Sequence, residues 1–465
     1  MFRKILSWVR EWIKKMIGKQ TVDKALNIEV AFSSKMAEGI ELWARMYENK
    51  APWLNADVKS MGLPAAIASE LARLTTIEME AEFTGGARAT WLEEQFGRVM
   101  DKLRHQVEFG CAKGGLVFKP YIVGEQLAID FVQADQFYPV AFDADGMITA
   151  IVFVDQRRKG DYWYTRLEYH NMTDAGCQII NKAYRSTNQD TLGQSVSLGS
   201  IEAWAQIEDE ALITGIEQPL YAYFRYPLAN TIDADSPLGV SCYSRATGLI
   251  KEADTQWSNL LWEFEAGQAA IFVDELAFGK DAQGRTKLPH KRLYRALETG
   301  AVDNSLFQGW SPTLREQSIL SGLDAILKRV EYSTGLAYGT LSDPNTVDKT
   351  ATEIKISRQR TYATVVDAQK ALENALVDLL YAMDVWATIG NLAPAGGYDV
   401  AFQFDDSVIV DKDTSFQQDL RLVGQGLMSK LEFRMRNFGE SEEAARMALE
   451  QIEEERQPMF IPEVE

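Results

Sequence analysis

Histidine and cysteine are scarce in this 465-residue sequence, with three of each. That scarcity removes most metal and nucleophile chemistry. His105, His170 and His290 stand apart from one another and from the cysteines, and no HExxH, HxH or Cys/His spacing suited to zinc occurs. Cys111, Cys177 and Cys242 form no CxxC pair, and an odd number of scattered cysteines fits reduced thiols and a cytosolic folding compartment. A GxSxG nucleophile turn and a GxxxxGK[ST] phosphate loop are both missing. Gly114-Gly115 is too short for a nucleotide site and reads as a helix-to-strand turn. Asp143-Ala-Asp-Gly146 begins like a calcium loop but lacks the later ligands, and reads as a hairpin turn. No catalytic residue, metal or cofactor is expected. Apolar runs fall short of the roughly 18 to 20 residues that span a bilayer, and Arg3 and Lys4 interrupt what would be a signal-peptide core. A membrane partner is therefore not expected.

Acidic residues, in contrast, are abundant. Asp and Glu number 67 against 48 Lys and Arg, a formal charge of -19. A surface that grips nucleic acid through phosphates must be basic, and this chain would repel a duplex on average, so sequence-specific DNA binding is not expected, although passage of a duplex without sticking remains open. The charge is uneven. Residues 1–20 hold six basic groups and one acidic one, residues 437–465 hold two and nine, and residues 267–312 form a near-neutral island with six and five. Carboxylates are plentiful enough that a two-carboxylate carbohydrate hydrolase stays open as an alternative, though no pair carries an independent mark. A scaffold or adaptor without a channel is another.

Along the chain the apolar period changes three times. Phe2, Ile5, Val9, Trp12 and Met16 form one helical stripe with basic residues off it, a pattern that suits either a membrane surface or an acidic protein body. Residues 60–110 read as helical, broken at Gly85-Gly86. From Leu116 to Tyr226, short β-branched and aromatic runs separated by turn clusters such as Lys159-Gly-Asp161 predict an antiparallel β region. Ser236-Pro237 then offers an N-cap and first helical position for a helix of about 30 residues, roughly 45 Å long, ending at Gly267. Its stripe runs through Tyr243, Ala246, Ile250, Ala253, Trp257, Leu261 and Phe264. Short strands follow to residue 312, with Ala270–Asp274 the clearest. A second helix bears Leu320, Leu323, Leu327 and Val330 and stops at Gly335. A polar loop runs from Tyr338 to Lys349 into Thr350-Ala-Thr-Glu353, a capping box that opens a helix of about 35 residues. After Ala393-Pro-Ala-Gly-Gly397, one strand and two shorter helices, begun at Ser429 and Ser441, complete an α+β pattern.

The order of these segments resembles the portal proteins of long-tailed bacteriophages. Ser236-Pro-Leu-Gly at the head of a helix ending Trp262-Glu-Phe-Glu-Ala-Gly267 looks like the first stem helix of that family. The helix ending at Gly335 resembles the second, and Thr350-Ala-Thr-Glu353 resembles the start of its long channel-side helix. Phe404-Asp-Asp-Ser-Val, Gly426-Leu-Met-Ser-Lys430 and the acidic helix at Ser441 are similar to its C-terminal part. The likeness covers most of residues 60–456 and rests on order rather than on a catalytic signature. Residues 268–312 match only as a region.

The resemblance implies a portal-type fold: a wing over 1–235, stem helices at 236–267 and 313–335 flanking a clip at 268–312, a channel loop and long helix over 336–392, and a C-terminal wing or crown over 393–465. It implies a ring, usually of twelve copies, at one capsid vertex of the virion, assembled in the host cytoplasm, and used for DNA packaging, head-to-tail joining and DNA ejection. The expected partners are the terminase large subunit, the head-tail adaptor, the major capsid and scaffold proteins, and double-stranded DNA passing non-specifically. The near-neutral clip segment, with Lys280, Arg285, Lys287, Lys291 and Arg292, is the expected docking surface for motor and adaptor. The loop formed by Leu341, Ser342, Asp343, Asn345, Thr346, Val347, Asp348 and Lys349 is expected to line the channel. Its composition alone fits a mobile outer loop equally well, and Lys349 reads either as an exposed lysine or as a weak phosphate contact.

Overall fold

A computed structural model describes residues 19–31, 33–77, 79–267, 270–274, 294–297, 307–310, 313–343, 351–404 and 412–456. The basic N-terminal stripe, the five clip cations and Asn345 to Lys349 lie outside the described residues. The chain divides into a large unit, Met1–Phe404, and a small one, Asp405–Glu465.

The large unit starts with helices α1 (Lys19–Leu26), α2 (Ser34–Tyr47) and α3 (Leu63–Thr76), followed by strand β1 (Met79–Gly85) and helix α4 (Ala87–Lys113). Leu92, Phe96, Val99, Leu103, Val107 and Cys111 recur at three- and four-residue steps along α4, and all are buried. The helix ends at Gly114, whose φ of 90° is open to glycine at little cost, and a Cβ there would run into the backbone of Gly239. The turn expected at Gly114-Gly115 therefore sits where two chain segments meet backbone to backbone.

The β region is antiparallel throughout, as its alternation predicts. Strands β2 (Gly115–Val123) and β3 (Gln126–Gln133) form a three-stranded sheet with β10 (Ala222–Arg225). A six-stranded sheet holds β4 (Phe137–Phe142), β5 (Ile148–Lys159), β6 (Tyr162–Thr173), β7 (Gly176–Ser186) and β8 (Gln194–Val196), with β9 (Glu210–Ile213) also on β7. Asp143-Ala-Asp-Gly146 is the β4–β5 turn. Asp143 Oδ1 accepts the N–H groups of Asp145 and Met147, and no calcium geometry is needed to explain it.

Two expectations fail here for stated reasons. Residues 79–85 are a strand, not helix, because Met79, Ala81 and Phe83 pair with Phe404, Phe402 and Val400 of β14 (Tyr398–Phe404). Phe83 and Phe402 both pack on Phe96, with centroids 5.6 and 5.8 Å away. Glu, Ala and Met favour helix locally, but a partner more than three hundred residues later decides the matter. The helix expected from Ser236 begins only at Thr247: α5 is Thr247–Ala266, 20 residues or about 30 Å. Residues 238–243 thread through the core instead, with Leu238, Val240, Cys242 and Tyr243 buried. Their backbone groups find tertiary partners: Cys242 N–H donates to Cys111 O and Gly239 N–H to the Tyr223 hydroxyl. Once those bonds exist, a helical ladder is not required.

Helix α6 (Glu316–Thr334) packs on α5, and α7 (Ala351–Ile389) runs through the core, burying Leu372, Leu376, Leu379 and Met383. All three cysteines are unpaired and buried. The small unit has three helices where two were expected: α8 (Lys412–Gly424), α9 (Lys430–Phe438) and α10 (Glu442–Arg456). Ser429 and Ser441 accept the N–H groups of Glu432 and Ala444, so both N-caps stand as read. Phe416, Phe433 and Phe438 form its aromatic centre.

The two sheets are joined by buried charge. Lys119 of β2 reaches Glu168 of β6 at 2.6 Å, Arg166 reaches the same carboxylate at 2.9 Å, and His170 Nε2 lies 2.8 Å from its other oxygen. Burial alone would raise the Glu168 pKa, but the Lys119 ammonium, the His170 hydrogen bond and Arg166 outweigh it and hold the carboxyl well below the usual range. Burial pushes the His170 pKa down from 6.5 against the pull of Glu168. Below about pH 6.5 the unfolded chain therefore takes up a proton that folded His170 refuses, and lower still the unfolded carboxylate does the same. Stability should be fully present above that pH and fall on acidification, by up to about 1.4 kcal/mol per pH unit for the His170 proton. Denaturant unfolding between pH 7 and 5 should show a shallower loss for His170→Gln than for the unaltered chain. Equal slopes would remove His170 as a source of acid sensitivity.

Candidate functional site

The sequence draws attention to α5, α6 and the segments attached to their ends. Beyond Gly267, β11 (Ala270–Asp274) pairs in parallel with β12 (Tyr294–Leu297) and antiparallel with β13 (Phe307–Trp310). The strand expected at 270–274 is present, and the five cations of this segment fall between β11 and β12 in sequence. The chain is clamped where it returns. Glu263 on α5 accepts the Arg315 backbone N–H at 2.9 Å and its guanidinium at 2.8 and 3.2 Å. That fork-like pairing fixes the start of α6 against the end of α5. The Arg315 hydrogen bonds hold the Glu263 pKa below the ordinary carboxylate range.

Much of the apolar surface of these helices stays outside. Ile250, Ala253 and Leu260 are buried on α5, but Leu261, Phe264 and above all Trp262, 61% exposed, are not. On α6, Leu323, Leu327 and Val330 are buried, whereas Leu320 and Tyr332 are exposed. Trp204, by contrast, is buried.

Of the expected loop residues, Leu341, Ser342 and Asp343 are described. None is free. The fully buried Glu331 carboxylate accepts the N–H groups of Gly339, Leu341 and Ser342 at 3.1, 2.6 and 2.9 Å, and the Ser342 hydroxyl at 2.9 Å. Leu341 packs on the core, and Asp343 N–H donates to Asp324. Gly335, at φ 78°, ends α6 where a Cβ would overlap the Thr364 hydroxyl of α7. The start of the loop is thus anchored by backbone hydrogen bonds that no apolar pattern reveals. A glutamate four residues before a helix-ending glycine was the only signal in the sequence.

Among the described residues no group of three or more His, Cys, Asp or Glu side chains could hold a metal, and no helix is long and apolar enough to cross a membrane. One open depression, about 430 Å³, is lined by Tyr223, Arg225 and Asn374 with apolar neighbours and contains no carboxylate, let alone the pair a glycosidase uses.

Glu331 is a sharp place to test the anchoring. Each buried N–H left without an acceptor costs roughly 1 to 3 kcal/mol. Glu331→Ala should therefore destabilise the large unit by several kcal/mol and speed hydrogen exchange at 339–342, with Glu331→Gln losing less. Native exchange protection in Glu331→Ala would mean the carboxylate is dispensable.

Comparison with known proteins bears on the whole chain. A solved structure similar to it is the neck of a native GTA particle computed with C12 symmetry, at 11% identity and a TM-score of 0.42, covering 90% of this chain and 98% of that one. None of the curated proteins matches. The family model described as phage portal protein, SPP1 Gp6-like, matches residues 78–458. That match, rather than the distant structural likeness, identifies the chain. It spans the α+β body, both helices α5 and α6 and most of the small unit, and it gives the chain a structural place in the virion as a head-to-tail connector. The chain belongs to the SPP1 Gp6-like family of phage portal proteins.

Proposed function

We propose that copies of this portal protein close head to tail into a ring around a channel for double-stranded DNA, with twelve subunits as the family resemblance implies. The observation that carries the ring is the exposed apolar side of α5 and α6: Leu261, Trp262, Phe264, Leu320 and Tyr332. Large apolar side chains left in the open on two helices that pack together mark an interaction site, and a head-to-tail contact that closes yields a ring. The charge of -19 supports passage of a duplex without capture, because an acidic wall offers phosphates few partners. The ring assembles in the host cytoplasm and meets capsid and scaffold proteins through its wing.

Residues 268–312 form the clip, where Lys280, Arg285, Lys287, Lys291 and Arg292 dock the terminase large subunit and later the head-tail adaptor. Their support is the near-neutral charge of the segment in an acidic chain, which favours steered association with an acidic partner. The loop that begins at the anchored Leu341, Ser342 and Asp343 and continues through Asn345, Thr346, Val347, Asp348 and Lys349 faces the channel. A fixed root suits a loop that must keep its position while DNA moves past it. Lys349 there makes a weak, salt-sensitive phosphate contact.

Twelve copies of a 52.3 kDa chain would weigh about 630 kDa. Light scattering at micromolar concentration should report a mass near that figure, and the double variant Leu261→Ser, Trp262→Ser should shift it to small species without unfolding the subunit. A monomeric unaltered chain at every salt concentration would overturn the ring. Replacing the five clip cations by Ser should weaken binding of the motor subunit and leave the mass unchanged. Undiminished motor binding would refute the docking assignment.

A further inference from the structure

The β5–β6 hairpin ends in a cluster of cations and aromatic rings that none of the preceding roles uses. β4 stops pairing with β5 at Phe153, so β5 beyond that point keeps β6 as its ladder partner on one side only. The outer part of the hairpin bears Arg157, Arg158 and Lys159 on β5 and Tyr162 and Trp163 on β6, with Arg185 of β7 directly across from Tyr164. Residues 157–162 are exposed. The Arg185 guanidinium lies 4.7 Å from the centre of the Tyr162 ring, Arg158 lies 5.8 Å from Trp163, and Arg157 lies 5.8 Å from Trp204. Arg157 also pairs with Asp155, while Arg158, Lys159 and Arg185 make no ion pair among the described residues.

We propose that this hairpin tip docks a protein segment rich in carboxylates. Stacking on an aromatic face orients a guanidinium and lowers the entropy lost on binding, yet leaves its N–H edge free for a bidentate carboxylate. Four cations beside two carboxylates, Asp155 and Asp161, make the tip a basic island on a chain of charge -19. Arginine, tyrosine and tryptophan together are also the residues that dominate binding energy between proteins. A duplex is the weaker candidate. Each ring already has one of the protein's own guanidinium groups beside it, four cations neutralise few phosphates, and the net charge of -19 repels DNA. The inference stands independently of the ring, since the tip lies on the six-stranded sheet and not on α5 or α6.

Fluorescence anisotropy on the full chain can test it with a labelled peptide of alternating glutamate and glycine and, separately, a duplex DNA of equal charge. The peptide should bind, weaken with salt, and lose roughly tenfold in affinity in the triple variant Arg157→Ser, Arg158→Ser, Arg185→Ser. A charge-matched control, Lys35→Ser, Arg98→Ser, Lys251→Ser, should stay within about twofold of the unaltered chain. Arg185→Ser alone, expected to lose part of the affinity, covers the case in which the triple variant unfolds. The proposal is overturned if the peptide does not bind, if the control loses as much as the hairpin variant, or if only the duplex responds to the hairpin change. It also fails if the hairpin variant alters the mass in solution, which would make the tip a contact between subunits.

Discussion

The segments joined to α5 and α6 are held by carboxylates that accept backbone N–H groups. Asp254, buried on α5, takes the Met61 N–H at 2.8 Å and the Trp53 indole at 2.9 Å, while Ser258 one turn on takes the Lys59 N–H. Glu263 takes Arg315, and Glu331 takes the turn at 339–342. A buried carboxylate has several lone-pair sites and loses heavily if they stay empty, so each such residue specifies where a loop must sit. The cost appears at Asp254, whose pKa burial pushes upward despite its two donors. Apolar contacts alone would hold these loops near the helices without fixing their register.

The same two helices therefore do two jobs with different chemistry. Their inner faces, with Ile250, Ala253, Leu323, Leu327 and Val330, bury apolar surface in the subunit core, and their carboxylates lock the adjoining turns. Phe264 near the end of α5 lies on the face of Ile250 yet stands in the open, as do Trp262 and Tyr332, with Arg360 of α7 lying 4.1 Å over the Tyr332 ring. The amphipathic period places Leu261 and Phe264 on the face of Ile250, about three and four turns further on, but it does not report how far along the helix the core extends.

What could be read from the sequence follows the range of the interactions involved. The β region, the hairpin turn at Asp143, the caps at Ser429 and Ser441 and the stops at Gly267 and Gly335 depend on neighbours within a few residues, and all stand. The strand at 79–85 needs β14, the irregular path through Leu238 and Val240 needs Cys111 and Tyr223, and the fixed turn at 339–342 needs Glu331. Those partners are distant in sequence, or polar and therefore invisible to apolar periodicity. The family was legible because the order of helices, strands and breaks survives where individual contacts do not. The five cations at 280–292 rest on that order and on the charge of their segment, and the residues from Asn345 to Lys349 on that order alone.

Net charge understates how little this chain offers a phosphate. Many of its described cations already face carboxylates: Lys113 with Asp135, Lys119 and Arg166 with Glu168, Arg73 with Glu70, Arg315 with Glu263, Lys328 with Asp324 and Arg434 with Glu440. A cation engaged in this way must break an ion pair before it can bind DNA, and for the buried Lys119 that would strand Glu168 in a low-dielectric site. The excess acid then acts on the duplex as a diffuse repulsion without local wells to trap it. A cation paired internally in this way offers a phosphate no ready site, and Arg158, Lys159 and Arg185 of the hairpin tip, which make no ion pair among the described residues, stand in contrast to it.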